Sequence, residues 1–348
     1  MNQTTAKIAI FSDLHVGVHC DSALWHNITI EWANWFANDL KSKGITDLIF
    51  CGDFFHERSS VAVNTIHVAC KVLDILSEFN LHVFPGNHDC FYKDKSDVNS
   101  LSIMHGRSKV FVYNEPTAIK IGDNCNAFIC PWGTAVDQIS KCDVIFGHFE
   151  IQTFMMNTFK LCDHGFSIRQ LLEKSSMIFS GHFHFRDERL FEIGKVVYVG
   201  NTFQMDLNDT NNTKGYYIFD GDSKEYSFVE NNVSPLIYKF KLSTISTQEM
   251  DIEELHHKVN KNIITFIIDE NLTPEDVDVV KNKLYTFNPL QITFEVEMPI
   301  NSSASANQGY QYESIDTESA IVEFIETMNY PHKTELQKYA VDIYRKYA

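Results

Sequence analysis

Five short stretches in the first 200 residues carry side chains suited to holding cations. Asp13 and His15 stand in S-D-L-H, and Asp53 and His56 in G-D-F-F-H. Asn87, His88 and Asp89 form G-N-H-D, His148 follows glycine in G-H, and His182 and His184 lie in G-H-F-H. Singly, each stretch reads as turn or capping chemistry. Together they mix carboxylates, imidazoles and one amide oxygen, with no thiolate. That mixture suits Mn²⁺, Fe or Zn²⁺ better than a cysteine-rich structural zinc site does. The donors are too many for one ion, and two ions sharing a bridging carboxylate would accommodate them. Two metals about 3.5–4 Å apart clamp a phosphoester, generate hydroxide at neutral pH and offset transition-state charge. His88 directly follows Asn87, projects in another direction and could protonate a leaving oxygen.

Each stretch follows a short apolar run: KIAIFS, DLIFC, LHVFP, DVIFG or SMIFSG. These runs read as buried strands, and amphipathic stretches at 22–43 and 61–79 lie between them. The pattern predicts a layered α/β domain with a largely parallel sheet. Sites in such sheets form beyond the carboxyl ends of the strands, so loops distant in sequence would converge. An extended G-H-F-H places His182 and His184 on one side of the chain and Phe183 on the other. From Arg189 the runs RLFEI, KVVYV, GYYIFD and EYSFVE read as antiparallel strands. A β-α-β-α-β unit follows at 236–298, with Thr273 capping a helix that starts at Pro274. Residues 300–311 read as a flexible linker. Two helical stripes follow, one through Ala320, Ile321, Phe324, Ile325 and Met328, the other through Leu336, Tyr339, Ala340, Ile343, Tyr344 and Tyr347.

The chain has 348 residues, enough for one large domain with an appendage or for two to three domains. Its net charge of −17 is spread along the chain and argues against broad electrostatic binding to nucleic acid. A local site built on cations is compatible with it. No apolar run approaches the roughly 18–20 residues of a membrane span, and the N-terminal sequence shows no signal-peptide pattern. The 8 cysteines form no C-x-x-C pair and read as reduced thiols, which predicts a cytoplasmic protein. His67, His82, His105, His164, His256 and His257 belong to no motif and read as structural or exposed.

The ordered set D-x-H, G-D-x-x-H, G-N-H-D, G-H and G-H-x-H resembles the calcineurin-like metallophosphoesterase superfamily over about residues 7–200. Within it, G-D-F-F-H and the long C-terminal extension resemble the SbcD nuclease family. GHFEIQTF, SGHFHF and YVGNTFQM…GYYIFD are similar to the SbcD-like recombination nuclease subunits of large tailed phages. The resemblance implies a sandwich of mixed β-sheets flanked by helices, with a small α+β capping domain and C-terminal helices. It implies a nuclease domain at 1–235, a DNA-capping domain at 236–299, a linker at 300–315 and a partner-binding tail at 316–348.

The resemblance also implies two divalent ions, Mn²⁺ foremost, with Mg²⁺, Fe or Zn²⁺ as alternatives. Asp13, His15, Asp53 and His184 would hold the first ion, with Asp53 bridging. Asn87, His148 and His182 would complete the second. His88 matches the catalytic histidine, and His56 a histidine that acts in exonuclease cleavage and places the DNA end. The implied activity is 3′–5′ exonuclease on duplex ends and endonuclease on single strands, in recombination, repair and replication. The implied partners are DNA, an SMC-like coiled-coil ATPase of the SbcC type, and a second copy of the chain meeting it through 61–79 and 98–105. If the source is a phage, the location is the host cytoplasm. The alternative is a phosphomonoesterase or nucleotide phosphodiesterase of the same superfamily. Phosphatases typically read G-D-x-V-D-R-G and G-N-H-E at the second and third motifs, which this chain does not.

Overall fold

A computed structural model describes residues 3–93, 95–157, 159–246, 250–270, 272–297, 322, 325–326 and 332–347. Residues 1–297 form one compact unit and 298–348 another. The first unit is built on two mixed sheets. In one, strands Lys7–Phe11, Asp47–Phe50, Asn80–Val83 and Val110–Val112 run parallel in that order. The hairpin Gly215–Asp220/Tyr226–Glu230 adds antiparallel strands beside Lys7–Phe11. In the other, Cys125–Cys130, Val144–His148, Met177–Gly181 and Gly194–Tyr198 run parallel. Thr117–Ile121 and Asp187–Phe191 flank them antiparallel, and Gln3–Thr4 pairs with the former.

Strand alternation builds three apolar layers. Ile8 and Ile10 face inward with Ile49, Phe146, Phe179 and Val197, filling the space between the sheets. Ala9 and Phe11 face outward and pack with helices Ala23–Ser42 and Val63–Ile75. Trp25, Ile28, Trp32, Phe36 and Leu40 recur at helical spacing on the buried side of the first helix. On the far side of the second sheet, Ile145, Ile178, Val196 and Tyr198 pack with helix Ile168–Leu172. Helices therefore cover both outer faces of a sheet pair. A largely parallel sheet was the expectation from the strand pattern alone; the terminal hairpins make both sheets mixed. Gly194–Tyr198, read as an antiparallel strand, pairs antiparallel on one side and parallel on the other.

Strands Ile237–Lys241, Ile263–Ile268 and Gln291–Val296 form a third, wholly parallel sheet with helices Ile252–Val259 and Pro274–Tyr285. Thr273 caps the last helix, its hydroxyl accepting from the Asp276 amide at 3.2 Å. This part has its own core around Phe240, Leu255, Phe266 and Leu284. Ile237 and Ile263, however, join the core beneath the large helices, and the Ile237 amide donates to Gln204 Oε1 at 2.7 Å. The boundary expected at 235/236 thus falls inside the first compact unit. In the second unit, Lys333–Tyr347 is a helix. The linker and most of the first helical stripe lie outside the described residues. Among the described residues, no helix is long and apolar enough to cross a membrane.

One buried side chain makes this fold acid-sensitive. His82 lies in strand Asn80–Val83, fully enclosed, with Nδ1 2.7 Å from the Tyr113 hydroxyl. Burial pushes the imidazole down to about 4, only partly opposed by Asp47. The unfolded chain, at about 6.5, binds a proton first as pH falls. The neutral ring's contribution is therefore complete above about pH 6.5 and is lost progressively toward pH 4. It amounts to about 3 kcal/mol. Urea titrations between pH 7 and 4 are expected to show His82→Gln losing less stability than wild type; parallel curves would refute this.

Candidate metal centre

The strands leading to the five motifs end at one edge of the sandwich, and their following loops meet there. The 13–16 segment runs beside 52–55 through backbone bonds: the Asp13 amide donates to the Gly52 carbonyl, His15 to Asp53 and Val16 to Phe54, at 2.8–3.1 Å. Asp13, His15, Asp53 and His182 all have positive φ, at 52°, 46°, 61° and 93°. Such backbone costs about 1–3 kcal/mol per non-glycine residue and clusters at functional sites. Close approach also requires glycine: a Cβ at Gly86 would strike the Asp53 carboxylate, and one at Gly181 the Ser12 hydroxyl.

The side chains gather in two adjoining sets. Asp13, His15 and His184 bring one donor atom each within 4.8 Å of one another, and so do Asp53, His148 and His182. In the first set the Nε2 atoms of His15 and His184 face each other at 2.9 Å. In the second, Asn87 Oδ1 sits 3.0 Å from His148 Nε2 and 2.7 Å from His182 Nδ1. Asp53 Oδ2 lies 3.7 Å from His15 Nε2 and 3.3 Å from His148 Nε2, so one carboxylate oxygen faces both sets. Its other oxygen accepts from the His88 amide at 2.8 Å. All seven sequence-predicted ligands are thus brought together. His56 and His88 stand beside them in a third group with His15, their rings stacked with centroids 5.7 Å apart.

This donor set fits divalent cations. Two imidazole nitrogens pointed at each other cannot both offer lone pairs without a cation or a proton between them. Burial raises the Asp13 carboxyl, partly offset by His148. Burial opposes ionisation at Asp53 too, but His148 beside it outweighs this and holds the carboxylate well below its usual range. His148 Nδ1 donates to the Cys51 carbonyl at 2.7 Å. Burial would lower this imidazole, but Asp53 beside it raises it to about 9, so Nε2 carries a proton toward Asp53 and Asn87 that a bound cation would replace.

Three residues that organise the site were given no role of their own from sequence. Asp89 is buried and accepts from the amides of Asp53, Phe54, Phe55 and Gly86 at 2.8–3.0 Å, tying the second motif to the third. Lys214 is buried beneath the first set, where its Nζ donates to the His184 carbonyl and to Asp209. Glu150 faces His182, with Oε1 3.4 Å from Nε2, and also faces His164 at 3.3 Å. His182 Nδ1 points to Asn87, so a Glu150 contact at Nε2 fixes its tautomer. Carboxylates in this position tune metal-binding histidines. Glu150→Ala is expected to weaken divalent-cation binding at one set about 10–100-fold, with Glu150→Gln milder; unchanged calorimetric titrations with Mn²⁺ as the probe ion would rule this out.

The extended G-H-F-H expected from sequence is not formed, because the chain turns at His182 through its positive φ. His182 and His184 consequently serve different sets. Phe183 is buried and stacks on Tyr198 at 4.7 Å, as packing against the sheet requires. Of the histidines outside the motifs, His67, His105, His256 and His257 are exposed.

A sheet sandwich with two adjoining sets of carboxylate, amide and imidazole donors on its strand-end loops defines a metal-dependent phosphoesterase. The chain belongs to the calcineurin-like phosphoesterase family, whose profile matches residues 6–186, just over half of its 348. It is 26% identical over 313 residues to exonuclease subunit 1 of Enterobacteria phage T4, covering 86% of this chain and 87% of that protein. Similar solved structures include an archaeal phosphodiesterase, with 16% identity and a TM-score of 0.37 over 65% of this chain and 99% of that one. A dimetal phosphatase from Danio rerio has 8% identity and a TM-score of 0.38 over 61% and 91%.

Proposed function

We propose that this protein is the nuclease subunit of a DNA end-processing complex, using two divalent ions, foremost Mn²⁺. The observation that carries the two-ion reading is Asp53, a single carboxylate facing both donor sets. Asp13, His15, Asp53 and His184 would hold one ion, and Asn87, His148 and His182, with Asp53 shared, the other. When bound, two such ions supply hydroxide at neutral pH and offset the charge of the phosphoryl transition state. The protein's own part is proton transfer and positioning. His88 Nδ1 lies 2.7 Å from the His56 carbonyl, to which it donates, leaving Nε2 to protonate the departing oxygen as its bond to phosphorus breaks. The His56 ring, stacked on His88, would hold a strand end.

The DNA reading draws support from likeness to the T4 exonuclease subunit over most of both chains. Its test is one assay with two substrates, a labelled duplex and a phosphomonoester, each with Mn²⁺. Cleavage of DNA is expected; rapid monoester turnover without DNA cleavage would establish the phosphatase alternative instead. The sheet at 237–296 would cap bound DNA, and the tail at 316–348 would hold an SMC-like ATPase. Deleting residues after Pro299 is expected to preserve single-strand cleavage and abolish co-purification with that ATPase; retained association would contradict the tail's role. Val63, Ile66, Val98 and Ile103 are exposed apolar residues on the 61–79 and 98–105 segments and support a homodimer. Sedimentation as a monomer at micromolar concentration would count against it.

A further inference from the structure

Trp132 stands beside the second donor set without offering it a ligand. Its indole Nε1 donates to the Lys93 carbonyl at 2.8 Å, and its backbone amide to the Pro85 carbonyl at 3.0 Å. These bonds fix the ring between the loop after strand Cys125–Cys130 and the segments flanking G-N-H-D. Its centroid lies 5.2 Å from that of His182 and 5.9 Å from that of His148. The ring is only half-buried and borders two cavities. One, of about 460 Å³, is walled by Phe149, Phe166, Glu150 and Gly133 with Lys93 at its rim. The other, of about 440 Å³, is polar and holds Lys95, Ser96 and Asn114.

A rigid aromatic plane one nucleoside's reach from a phosphate site, flanked by lysines, has the character of a nucleobase platform. Bases stack on such rings with little sequence preference, while cations follow the backbone. Lys93 and Lys95 bring one cation to each cavity, beside one carboxylate each, Glu150 and Glu115, so stacking rather than net charge carries the recognition. We propose that Trp132 stacks the nucleobase adjoining the scissile phosphate, a subsite that rests on the nuclease reading. A base within a duplex is already stacked on both faces. The subsite therefore selects single strands, or ends whose last pair has been opened.

The test compares an oligothymidine with a fully abasic chain of the same length. Binding is read by anisotropy on the full chain in chelator at low salt, and cleavage separately with Mn²⁺. Trp132→Ala is expected to weaken oligothymidine binding about 5- to 150-fold, with Trp132→Phe recovering most of the loss. The abasic chain is expected to bind wild type and Trp132→Ala alike. Equal oligothymidine binding by wild type and Trp132→Ala, no oligothymidine binding by wild type, or an equal loss on the abasic chain would overturn the platform. Failure of the nuclease reading is seen separately, as absence of DNA cleavage with Mn²⁺ whatever the binding result.

Discussion

His88→Ala is expected to lower the rate of DNA cleavage about 10²–10⁴-fold, the range for a lost general acid. His88 supplies no atom to either donor set. Its side chain instead bonds the His56 carbonyl, and its amide bonds Asp53. The backbone contact survives the substitution, so Mn²⁺ binding should hold near its wild-type value. This split separates His88 from the ligands, whose loss would remove metal and activity together. A substrate whose leaving oxygen needs no proton, such as a nitrophenyl phosphodiester, should recover most of the rate. Undiminished DNA cleavage at saturating metal, or an equal loss on both substrates, would remove His88 from this role.

The second large effect concerns stability. Lys214 and Asp209 are both buried and form an ion pair at 2.6 Å. Burial would raise the Asp209 carboxyl, but Lys214 holds it down. Asp209 Oδ2 also accepts from Asn201 Nδ2 and the Met205 amide, each at 2.8 Å. Lys214→Met strands that carboxylate in the interior and frees the His184 carbonyl. Breaking one side of such a pair costs about 3–5 kcal/mol, whereas replacing both partners by apolar residues is often close to neutral. Urea unfolding is expected to show Lys214→Met destabilised by that amount and Lys214→Met/Asp209→Leu partly restored. A double variant no better than the single one would mean the pair is not the origin of the loss.

The contrast between these residues shows what was legible in the sequence. Asp13, Asp53, Asn87 and His148 were readable because each follows an apolar strand, where a sheet's geometry brings loops together. Their local residue types already matched cation chemistry. Asp89 was visible in G-N-H-D, but its role depends on four amides, three of which lie 34–36 positions away. Glu150 and Lys214 had no spacing signal, since their partners His182 and His184 arrive from other loops. His182 itself defeats the simple alternation argument, because its left-handed backbone turns the chain where a strand would have continued. The mixed character of the sheets escaped the pattern for a related reason. Strand pairing is a long-range choice, and the same apolar run suits either direction.

Asp53 is expected to join two metal sites into one catalytic unit. Counting Mn²⁺ bound per chain and recording the electron paramagnetic resonance spectrum of the loaded protein tests this most directly. Two ions per chain with a spin-coupled signal are expected, and Asp53→Asn should abolish the coupling and weaken both sites. A single uncoupled ion in the wild type, or coupling that survives Asp53→Asn, would contradict it.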